Sequence, residues 1–477
     1  MADKLIKSFQ DIYSEHFGAE ASVDTLVQNL SKAFATTALG DTFGDGTALR
    51  LQNLDATMTQ VLFDEGHLKF FNFLNRFPSI QPYYEWNRRK SYGSSRASAG
   101  FREGGAPRGS TSSYKREGAY VKYLGVRRGI THQMTLTGQL GGTQIDPVAE
   151  ENRNGTLELL EKTERQLMWG RSEILDATGN NVNYDGFIPL LEELYPKNII
   201  DLRGKPYTFD HIEERGAILF EEGKVRNFRN LKTFMHPQVL TGLSKMKFEA
   251  DRRVMGGSAE SFITGTPLTG HQTNFGFVPF EPHLFMDEVE SNAPLTEAAD
   301  SGAPEAPATV VGTATTPDVA TSKFATGDGV GTHYYFVAAF NEAGESLTTA
   351  STGVAVAAKK AVDVAIARTA GAVGYRIYRS MTNDAKTAGK IGTIPQPASG
   401  DATFRDLNEW IPGCMTVVWA EKSPENLVLA QMTPLIKFPL AIVSTTIEFL
   451  LLLYHVLVMK APERQYVFKN VGKWDRS

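Results

Sequence analysis

The sequence predicts an α+β chain with a separate all-β sandwich inserted before its last strands. Three observations lead there. From Pro147 to Leu175, Leu157, Leu160, Leu167 and Met168 keep one apolar stripe at helical spacing. Residues 86–132 read as two strand-like flanks around a basic, Gly- and Ser-rich centre. From residue 291 to about 412 the composition turns to Ala, Thr, Gly and Pro, and short alternating segments follow one another between turns. A chain of 477 residues exceeds one ordinary domain, so two or three are expected.

Taken in order, residues 1–60 read as a helical N-terminal arm. Leu5, Ile6, Phe9, Ile12, Tyr13 and Phe17 share one helix face, without the continuous apolar core or small-residue cleavage site of a signal peptide. GDTFGDG (40–46) breaks the pattern as a connector. Residues 61–86 are apolar and aromatic, and Pro78 and Pro82 divide them into extended pieces. Between Trp86 and Arg128 stand eleven basic residues: Arg88, Arg89, Lys90, Arg96, Arg102, Arg108, Lys115, Arg116, Lys122, Arg127 and Arg128. Only Glu103 and Glu117 oppose them, a local excess of nine positive charges in a chain of net charge −5. The centre, SYGSSRASAGFREGGAPRGSTSSY, cannot bury a core of its own. The flanks YYEWNRRK and YVKYLGVRRGITHQMTL then form a long two-stranded arm with a basic tip. An isolated hairpin is marginal in water, so this arm needs a neighbouring surface.

Asp146 and Pro147 suit the N-cap and first position of the helix that follows, and Gly155 inside it costs about 1 kcal/mol relative to Ala. YDGFIPLLEEL and FDHIEERGAILFEEGK read as short helices, the second capped by Thr208 or Asp210, and NLKTFMHPQVLTGLSKMK as a strand and a helix. Residues 303–412 form the sandwich, with THYYFVAAFN, VDVAIA, GYRIYRSM and KIGTIP among its strands. Longer apolar strands close the chain over 413–477. Phe438 to Met459 is interrupted by Pro439, Glu448 and His455, and its apolar run Phe449–Tyr454 suits a buried strand, so no membrane span is expected.

Catalytic constellations are missing. There is no G-x-x-x-x-G-K-[ST] loop, no H-E-x-x-H and no G-x-S-x-G elbow. GDGTALRL (44–51) lacks the lysine of a phosphate cradle and reads as a loop. The nine histidines are scattered, Glu192-Glu193 and Glu213-Glu214 read as solvated helix faces, and the single Cys414 excludes an internal disulfide. No enzyme, metal or cofactor is expected. The basic arm fits either a nucleic-acid tether, with tyrosines interleaved, or a protein-binding arm. The second is favoured, because the rest of the chain carries −14 and copies of the same molecule therefore offer an acidic surface.

Three segments add a resemblance: LRLQNLDATMTQVLFDEGHLKFFNFLNRFP (49–78), YDGFIPLLEEL (184–194) and MTPLIKFPLAIVSTTIEFLLLLYHVLVMKAPERQYVFKNV (432–471). In this order, the chain resembles the major capsid proteins of tailed double-stranded DNA phages, which have the Hong Kong 97-type capsid fold. It looks most like those of the Twort-like myophages of Gram-positive hosts, with their immunoglobulin-like insertion. The resemblance implies an α+β fold with an N-arm (1–60), an E-loop hairpin with flanking strands (61–146), and a spine helix with peripheral and axial domains (147–302). It further implies an immunoglobulin-like sandwich (303–412) on the outer surface and C-terminal strands (413–477) completing both domains. Arg88, Arg89, Lys90, Arg96, Arg102, Arg108, Lys115 and Arg116 of the E-loop would touch a neighbouring subunit. The implied partners are other copies in hexamers and pentamers, scaffold, portal and decoration proteins, and packaged DNA met at the inner face without sequence reading. The implied place is the virion, after assembly in the host cytoplasm. The lysine, asparagine and glutamate of covalently crosslinked relatives find no match, so no crosslink is expected. A tail sheath or tube protein is the alternative self-assembling class, but lacks the arm, hairpin and spine order. A carbohydrate-binding surface protein would rest on the sandwich alone.

Overall fold

The computed structural model describes residues 63–477 except 94–98, 140–145, 177, 224, 226–227, 247–267, 288–292, 442–444 and 474–477. The chain divides into two units, Met1–Val61 and Leu62–Ser477, and the described residues belong to the second. The expected N-terminal arm and the loop 44–51 lie outside them.

The described chain opens with Asp64 capping a single turn. Then come α1 (Phe70–Phe73), β1 (Asn75–Pro78), β2 (Tyr83–Ser91), β3 (Ser113–Tyr120), β4 (Lys122–Thr131) and α2 (His132–Gln139). The long helix α3 (Pro147–Trp169) and α4 (Phe187–Leu194) follow. Next are β5 (Ile199–Asp201), α5 (Phe209–Glu221), β6 (Leu231–Met235), α6 (Pro237–Met246), β7 (Gly270–Thr273) and β8 (Gly276–Pro282). Eight strands, β9 (Val310–Ala314), β10 (Gly331–Phe340), β11 (Thr349–Ala350), β12 (Val354–Val356), β13 (Val362–Ile366), β14 (Gly374–Ser380), β15 (Gly389–Pro395) and β16 (Ala402–Asp406), form one block. The chain closes with β17 (Met415–Glu421), β18 (Leu427–Pro439), β19 (Thr446–Met459) and β20 (Tyr466–Val471).

Helix α3 starts where its sequence demands. The Asp146 carboxylate accepts the Val148 N–H at 3.0 Å and Pro147 takes the first position, where a missing N–H costs nothing. The helix ends at Trp169, short of the expected Leu175. Gly170 causes this: a Cβ there would lie 2.6 Å from the Gln166 carbonyl and 2.7 Å from that of Tyr184, and the Gly186 N–H donates to the Gly170 carbonyl at 2.8 Å. The backbone of the Tyr184-Asp185-Gly186 turn takes the space the next helical turn would need.

Helix α3 crosses a four-stranded sheet ordered β1-β18-β19-β4. Leu159, Leu167 and Met168 meet Leu451, Leu453 and the α4 residues Phe187, Ile188 and Leu191 in one core. Contact is close at Gly155, whose added Cβ would stand 2.8 Å from Leu451 Cδ1 and 3.0 Å from Arg128 Cγ. The apolar run Phe449–Tyr454 lies in β19, paired with β18 and β4 on its two sides. A six-stranded sheet, β5-β20-β17-β6-β8-β7, forms a second core with α5 and α6 through Ile212, Leu219, Leu243, Val417, Trp419 and Phe468.

The eight-strand block is a two-layer sandwich. The sheet β16-β13-β9 faces the sheet built on β10, β14 and β15, with Val310, Val337, Val364, Ile366, Tyr375 and Ile377 between them. Across the layers, the Tyr335 hydroxyl and Arg379 Nη1 both donate to Asp406 Oδ2, at 2.9 and 2.6 Å. The sandwich is held to the rest of its unit by Arg203. Its guanidinium donates to Asp328 Oδ2 (2.7 Å), the Asn408 carbonyl (2.6 Å) and the Lys323 carbonyl (3.1 Å). Among the described residues, three of the four non-glycine positions with left-handed backbone, Arg203 (φ 50°), Asn408 (φ 58°) and Asn470 (φ 55°), lie at this junction; the fourth is Lys359 (φ 61°).

The expected long arm is shorter than its composition suggests. Only β2 and β3 form the ribbon. The flank read as its continuation turns at buried Val121, enters the main sheet as β4 beside β19, and then coils into α2 over HQMTL. A ten-residue ladder with β19 holds β4 in the body.

Candidate assembly surface

The ribbon pairs Tyr83 with Tyr120, Trp86 with Glu117, Arg88 with Lys115 and Arg89 with Tyr114. Strand alternation gives it two faces. Tyr84, Trp86 and Arg88 turn inward and are half-buried, and Tyr84 and Trp86 pack against the main core. Tyr83, Tyr114 and Tyr120 stand exposed, as does Phe101 near the tip.

The eight predicted contact residues separate into groups. Arg88 is engaged within its own chain, in an ion pair with Glu463. Lys115 pairs with Glu117 at 2.8 Å, and Arg116 approaches Glu85 at 3.9 Å. Arg89 lies over the rings of Tyr92 and Tyr114, 5.2 and 5.7 Å from their centroids. Lys90, Arg102 and Arg108 are exposed and form no ion pair among the described residues. Arg96 lies outside the described residues. The remaining cations of the basic stretch are in β4: Arg127 pairs with Glu448, and Arg128 pairs with Glu151 and Glu158 of α3. The positive charge is therefore concentrated toward the ribbon tip, because its root is neutralised at home.

A cleft of about 840 Å³ separates the ribbon from the turns Pro424–Asn426 and Lys460–Arg464. Arg88, Arg89, Lys460 and Arg464 line it against Glu425 and Glu463. Elsewhere, β1 covers β18 only to Gln431. Beyond it, Leu435, Ile436 and Phe438 are exposed on a sheet edge without a neighbour among the described residues. Open edges of this kind are templates for another chain.

Sequence reasoning missed Glu164. This glutamate of α3 is fully buried. Its carboxylate accepts the backbone N–H groups of Lys69, Phe70 and Phe71 at 3.0, 2.6 and 2.9 Å and lies 2.9 Å from His283 Nε2. It therefore joins the segment leading to the ribbon, the long helix and the end of β8. Only the fold reveals it, since an acid on an amphipathic helix ordinarily faces water.

No group of three metal-ligating side chains occurs among the described residues. No helix there is long and apolar enough to cross a membrane. Burial pushes the Cys414 thiol up to about 11, which keeps it protonated and unreactive at neutral pH.

No protein-family profile matches the chain. It is 22% identical over 481 residues to the major capsid protein of Staphylococcus phage K, and 21% identical over 477 residues to that of Staphylococcus phage S25-3. Each alignment covers 98% of this chain and 98% of the relative. The chain is similar along nearly its whole length to phage major capsid proteins. Among solved structures it is similar to the capsid of a native GTA particle (TM-score 0.47, 9% identity, 91% of this chain and 100% of that one). It is also similar to the capsid of the Myoviridae phage XM1 (TM-score 0.43, 8% identity, 88% and 96%). The ribbon, the long helix on its sheet, the six-stranded sheet and the closing strands stand in the order that the Hong Kong 97-type capsid fold implies.

Proposed function

We infer that this protein is a capsid-forming structural subunit. We propose that it assembles into the hexamers and pentamers of an icosahedral head that holds the double-stranded DNA of a tailed phage. The observation that carries this reading is similarity to major capsid proteins over 98% of this chain and 98% of theirs. The exposed, cationic, tyrosine-studded ribbon is consistent with it, since a two-stranded ribbon gains stability by lying on a further surface.

In this reading Arg89, Lys90, Arg96, Arg102, Arg108 and Arg116 steer the ribbon onto acidic patches of a neighbouring copy, while Arg88 and Lys115 stay paired with Glu463 and Glu117 of their own chain. The contacts are individually weak and collectively decisive. One sequence must serve five-fold and six-fold rings, so the contacts are heterologous and tolerate small changes of angle. The N-terminal 60 residues act as a second reaching arm. Residues 303–412 form an independent immunoglobulin-like domain on the outer face, while scaffold, portal and decoration proteins and the packaged DNA are further partners. Assembly takes place in the host cytoplasm.

The test is removal of the ribbon tip, residues 94–112, with a two-glycine closure. The expected product is a soluble, folded subunit that forms no shells by electron microscopy. Shells of normal size from this variant would contradict the role of the arm.

A further inference from the structure

The sandwich meets the six-stranded sheet through directional polar bonds. On the sheet's side the junction is built on two paired strands, β5 and β20, where Asp201 stands beside Lys469. Arg203 and Gly204 follow β5 with left-handed backbone (φ 50° and 78°), and the Lys205 N–H closes the turn on the Leu202 carbonyl at 2.9 Å. Two left-handed residues in succession suit Asn-Gly, and an arginine in the first place is strained. The half-buried side chain offsets that strain, because its guanidinium reaches the sandwich at Lys323, Asp328 and Asn408 together.

The bonding runs both ways. Lys323 of the sandwich donates back to Asp201 Oδ2 at 3.0 Å. Buried Asn470 donates to Asp201 Oδ1 at 2.7 Å and to the Glu409 carbonyl at 2.8 Å, and accepts the Ile411 N–H at 2.8 Å. Lys469 pairs with Glu409 at 3.0 Å, and Trp410 packs against both the sandwich core and the core under α3. Beside this corner the two parts stand apart. A cleft of about 520 Å³ has Arg171, Pro196 and Ile199 on one wall and Thr393, Phe404 and Arg405 of the sandwich on the other. Closing it would take apolar surface of Pro196, Ile199 and Phe404 out of water.

We propose that the Arg203 network is an orientation lock: it holds the sandwich in one pose with the cleft open, and its release lets the sandwich swing on the body while both parts stay folded. Each part has a core that closes without the lock, the sandwich between its own two sheets and the six-stranded sheet on α5 and α6. The lock is independent of the assembly reading and acts whatever particle the subunit builds.

Electron–electron double resonance between two spin labels tests it. The labels sit at the exposed positions Glu193→Cys on α4 and Thr313→Cys on β9, in a full-length Cys414→Ser chain diluted with unlabelled protein so that pairs within one chain dominate. The expected result with Arg203 present is one narrow distance distribution. Arg203→Gly removes the guanidinium and relaxes the left-handed backbone, so it should broaden the distribution and move its mean, with circular dichroism unchanged. Asp328→Asn, which weakens only the sandwich end of the lock, should do the same to a smaller extent. Asp363→Asn, which loosens an ion pair with Arg405 inside the sandwich, should leave the distribution as it is. A broad distribution in the parent protein, one as narrow in Arg203→Gly as in the parent, or unfolding of the sandwich in that variant would overturn the proposal.

Discussion

Glu164 gathers three separated stretches of chain around one carboxylate, and its energetics follow from what surrounds it. Three backbone N–H groups and His283 point at a side chain with no access to water. Glu164→Ala leaves all four without a partner. The expected loss is about 3–5 kcal/mol in chemical unfolding. Glu164→Gln keeps one acceptor oxygen and should lose clearly less. Equal losses from the two variants would mean that packing, not hydrogen bonding, is what the site supplies. His455 acts on stability through pH. It is buried against Tyr184, whose hydroxyl lies 2.8 Å from Nε2, and burial, aided by Arg76, pushes its pKa down to about 3. The unfolded imidazole titrates near 6.5. The folded state thus binds this proton less readily, and the stability held above pH ~6.5 is lost as pH falls toward 3. Between pH 7 and 5 the loss from this residue is on the order of 2 kcal/mol. His455→Gln, which can still bond Tyr184, should flatten the pH dependence in that interval. An unchanged slope would assign it to other groups.

Whole elements were legible where local rules decide them. Asp146-Pro147 marked the start of α3, and of the two caps the sequence offers α5, Thr208 and Asp210, it is Thr208 that stands at the N-cap, its N–H donating to His211 Nδ1. The end of α3 was not legible, because Gly170 stops it through the backbone of residues 184–186, distant enough to be invisible to a helical pattern. The ribbon was misjudged for a related reason. β4 alternates as the ribbon strands do, and alternation reports a half-buried strand without naming its neighbour. Gly155 gives the sharpest contrast between propensity and packing. Taken alone, Ala there would gain about 1 kcal/mol of helix propensity. In the fold its methyl would press on buried Leu451 and on the stem of Arg128, and overpacking of this kind costs about 1–3 kcal/mol. Gly155→Ala is therefore expected to be neutral to destabilising in thermal unfolding, and a stabilised variant would show that α3 sits less tightly on its sheet.

Across the whole molecule, charge is distributed unevenly for a reason the sequence disclosed only in part. Composition located the basic stretch, but not that Arg88, Arg127 and Arg128 find partners within the chain. What remains available is the tip and the outer face of a ribbon, together with the exposed apolar edge at Leu435, Ile436 and Phe438. Neither feature stabilises an isolated subunit, and both become useful once another copy lies against them. Electron microscopy of the purified, full-length protein under assembly conditions tests this most directly. The account predicts closed icosahedral particles with five-fold and six-fold clusters of subunits. Tubes, or a protein that stays monomeric across all conditions, would contradict it.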